Sequence, residues 1–141
     1  MSVTFWVPDA PFQEVQCWFC RDYGEEDFDG KCTPLCTGKR MESTAPHANF
    51  SNYNARGVLA LLGLDASDLY GELTPEEIPA VLQRVMWVTE TSKVESLNRA
   101  PVTHSRMICV GNTAEQTRRR LDCVRQVLSA AVANGWPVSW G

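Results

Sequence analysis

Four cysteines in the first quarter of the chain, Cys17, Cys20, Cys32 and Cys36, constrain its folding more than any other feature. They read C-x2-C, an eleven-residue gap, then C-x3-C. Two short turns that each present a pair of sulfurs can bring four thiolates to one point, and tetrahedral zinc takes its ligands in this way. Gly24 follows Cys17-Trp18-Phe19-Cys20, and Gly38 follows Cys32-Thr33-Pro34-Leu35-Cys36. A small residue after the second cysteine lets the chain fold back with its amides toward the sulfurs.

Four thiolates close the coordination sphere, so the spacing points to a structural ion; hydrolytic zinc keeps one position open for water. Over about residues 15–40 the spacing resembles zinc-ribbon, zinc-knuckle and treble-clef-like modules in general. It is a resemblance of spacing and names no family. Two disulfides or four free thiols are the plainer alternative, and an iron–sulfur cluster is the chemical one. The paired turns favour a single ion. His47 lies eleven residues beyond Cys36 and is not needed as a ligand. Cys109 and Cys123 fall in a predicted strand and a predicted helix, and both are expected to be buried thiols.

With 141 residues, 44% of them hydrophobic and 21% charged, the sequence fits a soluble globular protein. One domain over 1–141 is expected, with the cysteine module inside it. A net charge of −4 argues against general adhesion to nucleic acid or anionic membrane. No apolar run approaches the ~18 residues of a membrane span. The first residues lack a basic segment followed by a long apolar one, so a cytoplasmic setting is expected, where paired cysteines serve as ligands rather than disulfides.

Residues 2–7 are β-branched and aromatic and predict a strand ended by Pro8. Residues 42–49 read as irregular. A helix is expected from 52 or 54 to 62, with Gly63 just past its end, and a further helical turn over 65–70. Thr74-Pro75-Glu76-Glu77 has the form of a capping box, followed by a buried face of Ile78, Val81, Leu82, Val85 and Met86. Pro79 delays the regular helix. Residues 89–103 read as loop and 104–110 as strand. The longest helix, about 114–133, carries a stripe of Leu121, Val124, Leu128, Ala131 and Val132, with Thr113 and Gln116 as a second capping box. Residues 137–140 suit a final edge strand, and a strand–helix–strand crossover is conceivable at this end. Together these give an α+β fold: a small sheet from the N- and C-terminal segments, covered by about three helices, with the metal module near the N-terminus.

Three polar clusters are candidate sites. His47, Asn49, Asn52, Asn54 and Arg56 crowd a helix start, where free backbone donors attract anions; their plainer reading is competition for one N-cap. Gly111-Asn112-Thr113 turns a strand into a helix, without the glycines of a dinucleotide fingerprint or the Gly-Lys-Ser/Thr of a P-loop. Arg118, Arg119 and Arg120 form the one basic run, but consecutive helical residues point to different sides. No arrangement assigns acid and base roles, so an enzyme is unsupported.

The sequence therefore favours a small zinc protein acting on another protein, with Trp18 and Phe19 as candidate contact residues. Those two rings could also stack on a base, and packing against the body is the plainer expectation. Size and acidity also suit an accessory or inhibitory protein of a phage or mobile element. A second reading is a small-ligand binder or enzyme using residues 47–56 with Asn112. A third is nucleic-acid binding through Arg118, Arg119 and Arg120 with Lys39 and Arg40, disfavoured by the acidic run Glu25, Glu26, Asp27 and Asp29.

Overall fold

The computed structural model describes residues 2–91, 102–104, 107–109 and 113–141. Helices and small antiparallel sheets make up the fold. The chain forms two compact units, a smaller one of Ala10–Thr44 and a larger one of Met1–Asp9 with Ala45–Gly141.

In the larger unit, β1 (Ser2–Trp6) alternates so that Val3 and Phe5 are buried. It pairs antiparallel with β4 (Ala48–Ser51), which sets Val3 opposite Phe50 and Phe5 opposite Ala48. On its other edge it pairs with β8 (Val138–Trp140), placing Phe5 opposite Trp140. β5 (Gly71–Leu73) completes a sheet of order β4-β1-β8-β5. A one-residue slip would turn this whole apolar set outward, so the register is firmly specified. Phe5 anchors the buried face, stacked on Trp140 at 5.8 Å between ring centroids and edge-on to Phe50 at 6.0 Å. On the opposite face Asn49 donates to the Thr4 hydroxyl (2.7 Å), and the Ser139 hydroxyl donates to Glu72 (3.2 Å).

Three long helices supply the rest of this core. α2 (Asn52–Leu62) is capped by Ser51, whose hydroxyl accepts the Asn54 amide, and ends on Gly63 in the left-handed conformation. α3 (Ile78–Glu90) buries Ile78, Val81, Val85 and Val88; α4 (Ala114–Asn134) buries Leu121, Val124, Val127, Leu128 and Ala131, with Thr117. α4 packs against α3 and lies along β1, β4 and β8. Arg84 reaches from α3 to the Leu61 carbonyl at the end of α2 (2.8 Å).

Several expectations need correcting. Val138–Trp140 is an interior strand, paired on both sides, because Val138 and Trp140 are both buried. Within the stretch expected as one strand over 104–110, the described residues belong to a separate two-stranded antiparallel sheet, β6 (Val102–His104) with β7 (Met107–Cys109), and among the described residues neither strand neighbours β8 as a crossover would require. Residues 42–49 are irregular only in their middle: β3 (Lys39–Ser43) takes the first two and β4 the last two, and 44–47 form no regular element. Residues 65–70 form bends rather than a helical turn. Asp65 accepts the Ser67 amide and hydroxyl, and Asp68 accepts the Tyr70 amide, so side chains take the donors a helix would use. At Thr74 only half of the capping box forms. Glu77 accepts both the Thr74 amide and its hydroxyl, and the regular helix starts at Ile78 because Pro79 has no amide to give. Met86 and Val132, expected inside, are exposed, while Leu82 is half-buried; Val88 and Val127 fill the core instead. The Thr113–Gln116 box is fully formed.

Candidate metal centre

The smaller unit is built around its cysteines. β2 (Phe12–Gln16) and β3 form an antiparallel ribbon, from Phe12 opposite Ser43 to Gln16 opposite Lys39. Cys17 continues this ladder, donating its amide to the Gly38 carbonyl (2.9 Å). The ribbon thus brings the entrance and the exit of the cysteine segment together. Directly after Cys17 comes α1 (Trp18–Tyr23), and a short 3-10 turn follows over Glu26–Phe28. The loop folds back through amides of Phe28 and Gly30 bonded to the Glu25 carbonyl, with Glu25 and Lys31 bridged.

Two glycines permit this path. At Gly24 an added Cβ would stand 2.2 Å from the Gly30 carbonyl oxygen and 2.5 Å from that of Cys20, an approach only glycine allows. Gly38 has φ +78°, which favours glycine for its own reason.

The ligand atoms that sequence spacing singled out are brought together: the Sγ atoms of Cys17, Cys20, Cys32 and Cys36 all lie within 4.8 Å of one another. All four cysteines are free. A single ion holding four thiolates at about 2.3 Å separates them by about 3.8 Å. Backbone amides turn toward the sulfurs, at Gly38 as the sequence suggested, and at Cys32 rather than Gly24 in the first turn. Cys32 N–H donates to Cys20 Sγ (3.3 Å) and Gly38 N–H to Cys36 Sγ (3.4 Å). Such donors orient thiolates and offset their charge.

The thiols are not equivalent. The Cys20 backbone amide draws the Cys17 thiol down to about 7 from the ordinary 9.0, against the opposing effect of burial. Desolvation pushes Cys32 up to about 12, with the neighbouring sulfurs adding to it. Cys20 is raised too, again by desolvation first. Cys17 ionises near neutrality beside Cys20 and Cys32, which hold their protons more tightly, and a cation that binds these sulfurs must displace those protons.

The other candidate residues are engaged in their own surroundings or fall outside the described residues. Asn49 is tied to Thr4 across the sheet, and Arg56 donates to the carbonyls of Ala66 (2.6 Å) and Ser67 (3.1 Å), fastening the segment after α2. Asn54 gives its amide to the Ser51 cap. Asn52 is half-buried, its Oδ1 without a partner among the described residues, and His47 is exposed. Asn112 lies outside the described residues, as does the side chain of Cys109. Arg119 pairs with Glu115 (2.6 Å), Lys39 with Glu14 (2.7 Å) and Arg40 with Glu42 (2.7 Å); Arg118 and Arg120 also have partners. Cys123 is exposed on α4 rather than buried, because it falls on the outward side of a helix whose inward positions are Leu121 and Val124.

Trp18 and Phe19 stack on each other, with ring centroids 3.7 Å apart, and Tyr23 follows one turn on at 6.3 Å from Phe19. The sequence singled out the first two and missed Tyr23, although its i,i+4 spacing from Phe19 was there to be read. No described helix is long and apolar enough to cross a membrane. No family model, curated protein or solved structure matches the chain.

Proposed function

We propose that Cys17, Cys20, Cys32 and Cys36 hold one zinc ion as a structural centre, and that the protein is a cytoplasmic interaction module whose metal-braced arm contacts another protein. The observation that carries the metal reading is the convergence of four free sulfurs within 4.8 Å. An iron–sulfur cluster would place several irons and sulfides between its thiolates, so this close grouping suits a single ion. Thiolate ligands select zinc over harder divalent ions, and four of them leave no position for a substrate water. The arm needs such a brace because it has almost no core: within Ala10–Thr44 only Ala10 and Cys17 are buried.

A protein partner is favoured over nucleic acid because Lys39, Arg40 and Arg119 are engaged by acids of the chain itself, while exposed aromatics remain on α1.

The test is metal analysis of protein purified without chelator. About one equivalent of zinc is expected, and less than about half an equivalent overturns the assignment. Cys32→Ser is expected to abolish stoichiometric zinc binding while the helical signal of α2, α3 and α4 survives. Zinc retained at full stoichiometry in that variant removes Cys32 from the ligand set.

A further inference from the structure

Building on that interaction reading, we propose that the aromatic face of α1 and the acidic loop after it form a docking site for a short protein segment carrying an apolar anchor next to lysine or arginine. Trp18, Phe19 and Tyr23 are 39%, 47% and 67% exposed, and no residue of α1 is buried. Stacking holds Trp18 and Phe19 as one rigid platform, and Tyr23 extends it along the helix. Rigid aromatic side chains lose little entropy when covered, which is why they dominate binding hot spots.

The charges beside this platform decide what covers it. Of the basic residues of this unit, Arg21, Lys39 and Arg40 are each paired with an acid, namely Asp22, Glu14 and Glu42, which leaves Lys31 as the single cation set against the four acids of the loop. Glu25, Glu26, Asp27 and Asp29 are exposed, and no ion pair engages them among the described residues. They begin two positions after Tyr23. Their loop is fastened by backbone alone, with the Glu25 amide on the Lys31 carbonyl (3.2 Å) and the Phe28 and Gly30 amides on the Glu25 carbonyl, so the negative field stands ready next to the aromatics in the chain without further ordering. A basic segment is attracted and correctly registered by such a field. A second copy of this acidic arm is repelled by it, and so are phosphates.

Random short peptides displayed on phage, selected on the zinc-loaded full-length protein at low salt, test this directly. Enriched peptides are expected to carry net positive charge and an apolar side chain near their basic residues. A synthetic copy of one such peptide should bind about tenfold more weakly to Phe19→Ser and to Tyr23→Ala, each with its zinc content unchanged. Glu25→Lys with Glu26→Lys should weaken it several-fold and flatten its salt dependence. Enrichment of acidic or uncharged peptides, no enrichment at all, or binding indifferent to Phe19 overturns the proposal. So does tight binding of a single-stranded oligonucleotide, or self-association that depends on Phe19. Zinc content and capture of an acidic partner through Trp18 would leave the broader interaction reading standing in those cases, so the two failures are distinguishable.

Discussion

Cys20 Sγ and Cys36 Sγ stand 3.4 Å apart, one sulfur from each cysteine turn. A disulfide would bring them to about 2.05 Å, and thiolates on one tetrahedral ion would sit at about 3.8 Å. The pair is held by backbone on both sides, since the Cys32 and Gly38 amides point at these same two sulfurs. Each turn thus offers a sulfur, steadied by a backbone amide, to a shared centre.

Proton release on metal binding should depend on pH, and Cys17 sets how. Its value of about 7 lies below the ordinary 9.0, so in the metal-free arm it is mostly protonated at about pH 6 and mostly ionised at about pH 8. Cys32, pushed to about 12, gives up a whole proton throughout that range. The share of Cys17 in the protons released per zinc should therefore fall by roughly 0.8 between about pH 6 and about pH 8. Calorimetry in buffers of differing ionisation enthalpy measures this count, and Cys17→Ser should flatten the fall. The same shifts act on the metal-free fold with opposite signs. The Cys17 contribution is present above about 9.0 and lost as pH falls through about 7; that of Cys32 is present below about 9.0 and lost as pH rises through about 12.

Gly24 should be as necessary to the metal arm as a ligand. An added methyl would meet two backbone carbonyls, those of Gly30 and Cys20, and neither can swing aside as a flexible side chain could. Relief requires moving Cys20 or the loop that leads into Cys32. Gly24→Ala is expected to weaken zinc binding about ten- to hundredfold, the range seen when support of metal ligands is lost. Competition with a chromogenic chelator reads this, and an affinity within about twofold of the parent would show that the loop yields.

Local chemistry explains what could be read from the residues, and non-local pairing explains what could not. The cysteine turns, Gly63 as the end of α2, and the Thr113–Gln116 box each depend on a few adjacent residues, so they stand where the sequence places them. Lys39–Ser43 carries no apolar alternation because its ribbon buries neither face, and it passes for loop. Val138–Trp140 follows a proline at the end of the chain and looks like an edge; its two neighbours, β1 and β5, come from distant sequence. The helix stripes err by single positions. Met86 and Val132 sit beside true core residues on the helical wheel, and only the packing of α3 on α4 decides which neighbour is covered.

Two glycines of the larger unit should respond to the same substitution with opposite signs. Gly71 lies opposite Trp140 in the ladder between β5 and β8, and an added Cβ would fall 2.2 Å from Cζ2 of that indole. The ring is buried and stacked on Phe5, so it has little room to retreat. Gly71→Ala should destabilise the fold by about 1–3 kcal/mol, as overpacking of a filled core does. Gly57 sits within α2, exposed, with nothing inside 4 Å of an added Cβ. There alanine only removes the freedom of the unfolded backbone, and Gly57→Ala should stabilise by about 0.5–1 kcal/mol. Urea unfolding of the zinc-loaded variants, followed by helical circular dichroism, should show the midpoint falling for the first and rising for the second. A midpoint unmoved by Gly71→Ala would mean that Trp140 can leave its place over the strand, and with it the stack that fixes Phe5.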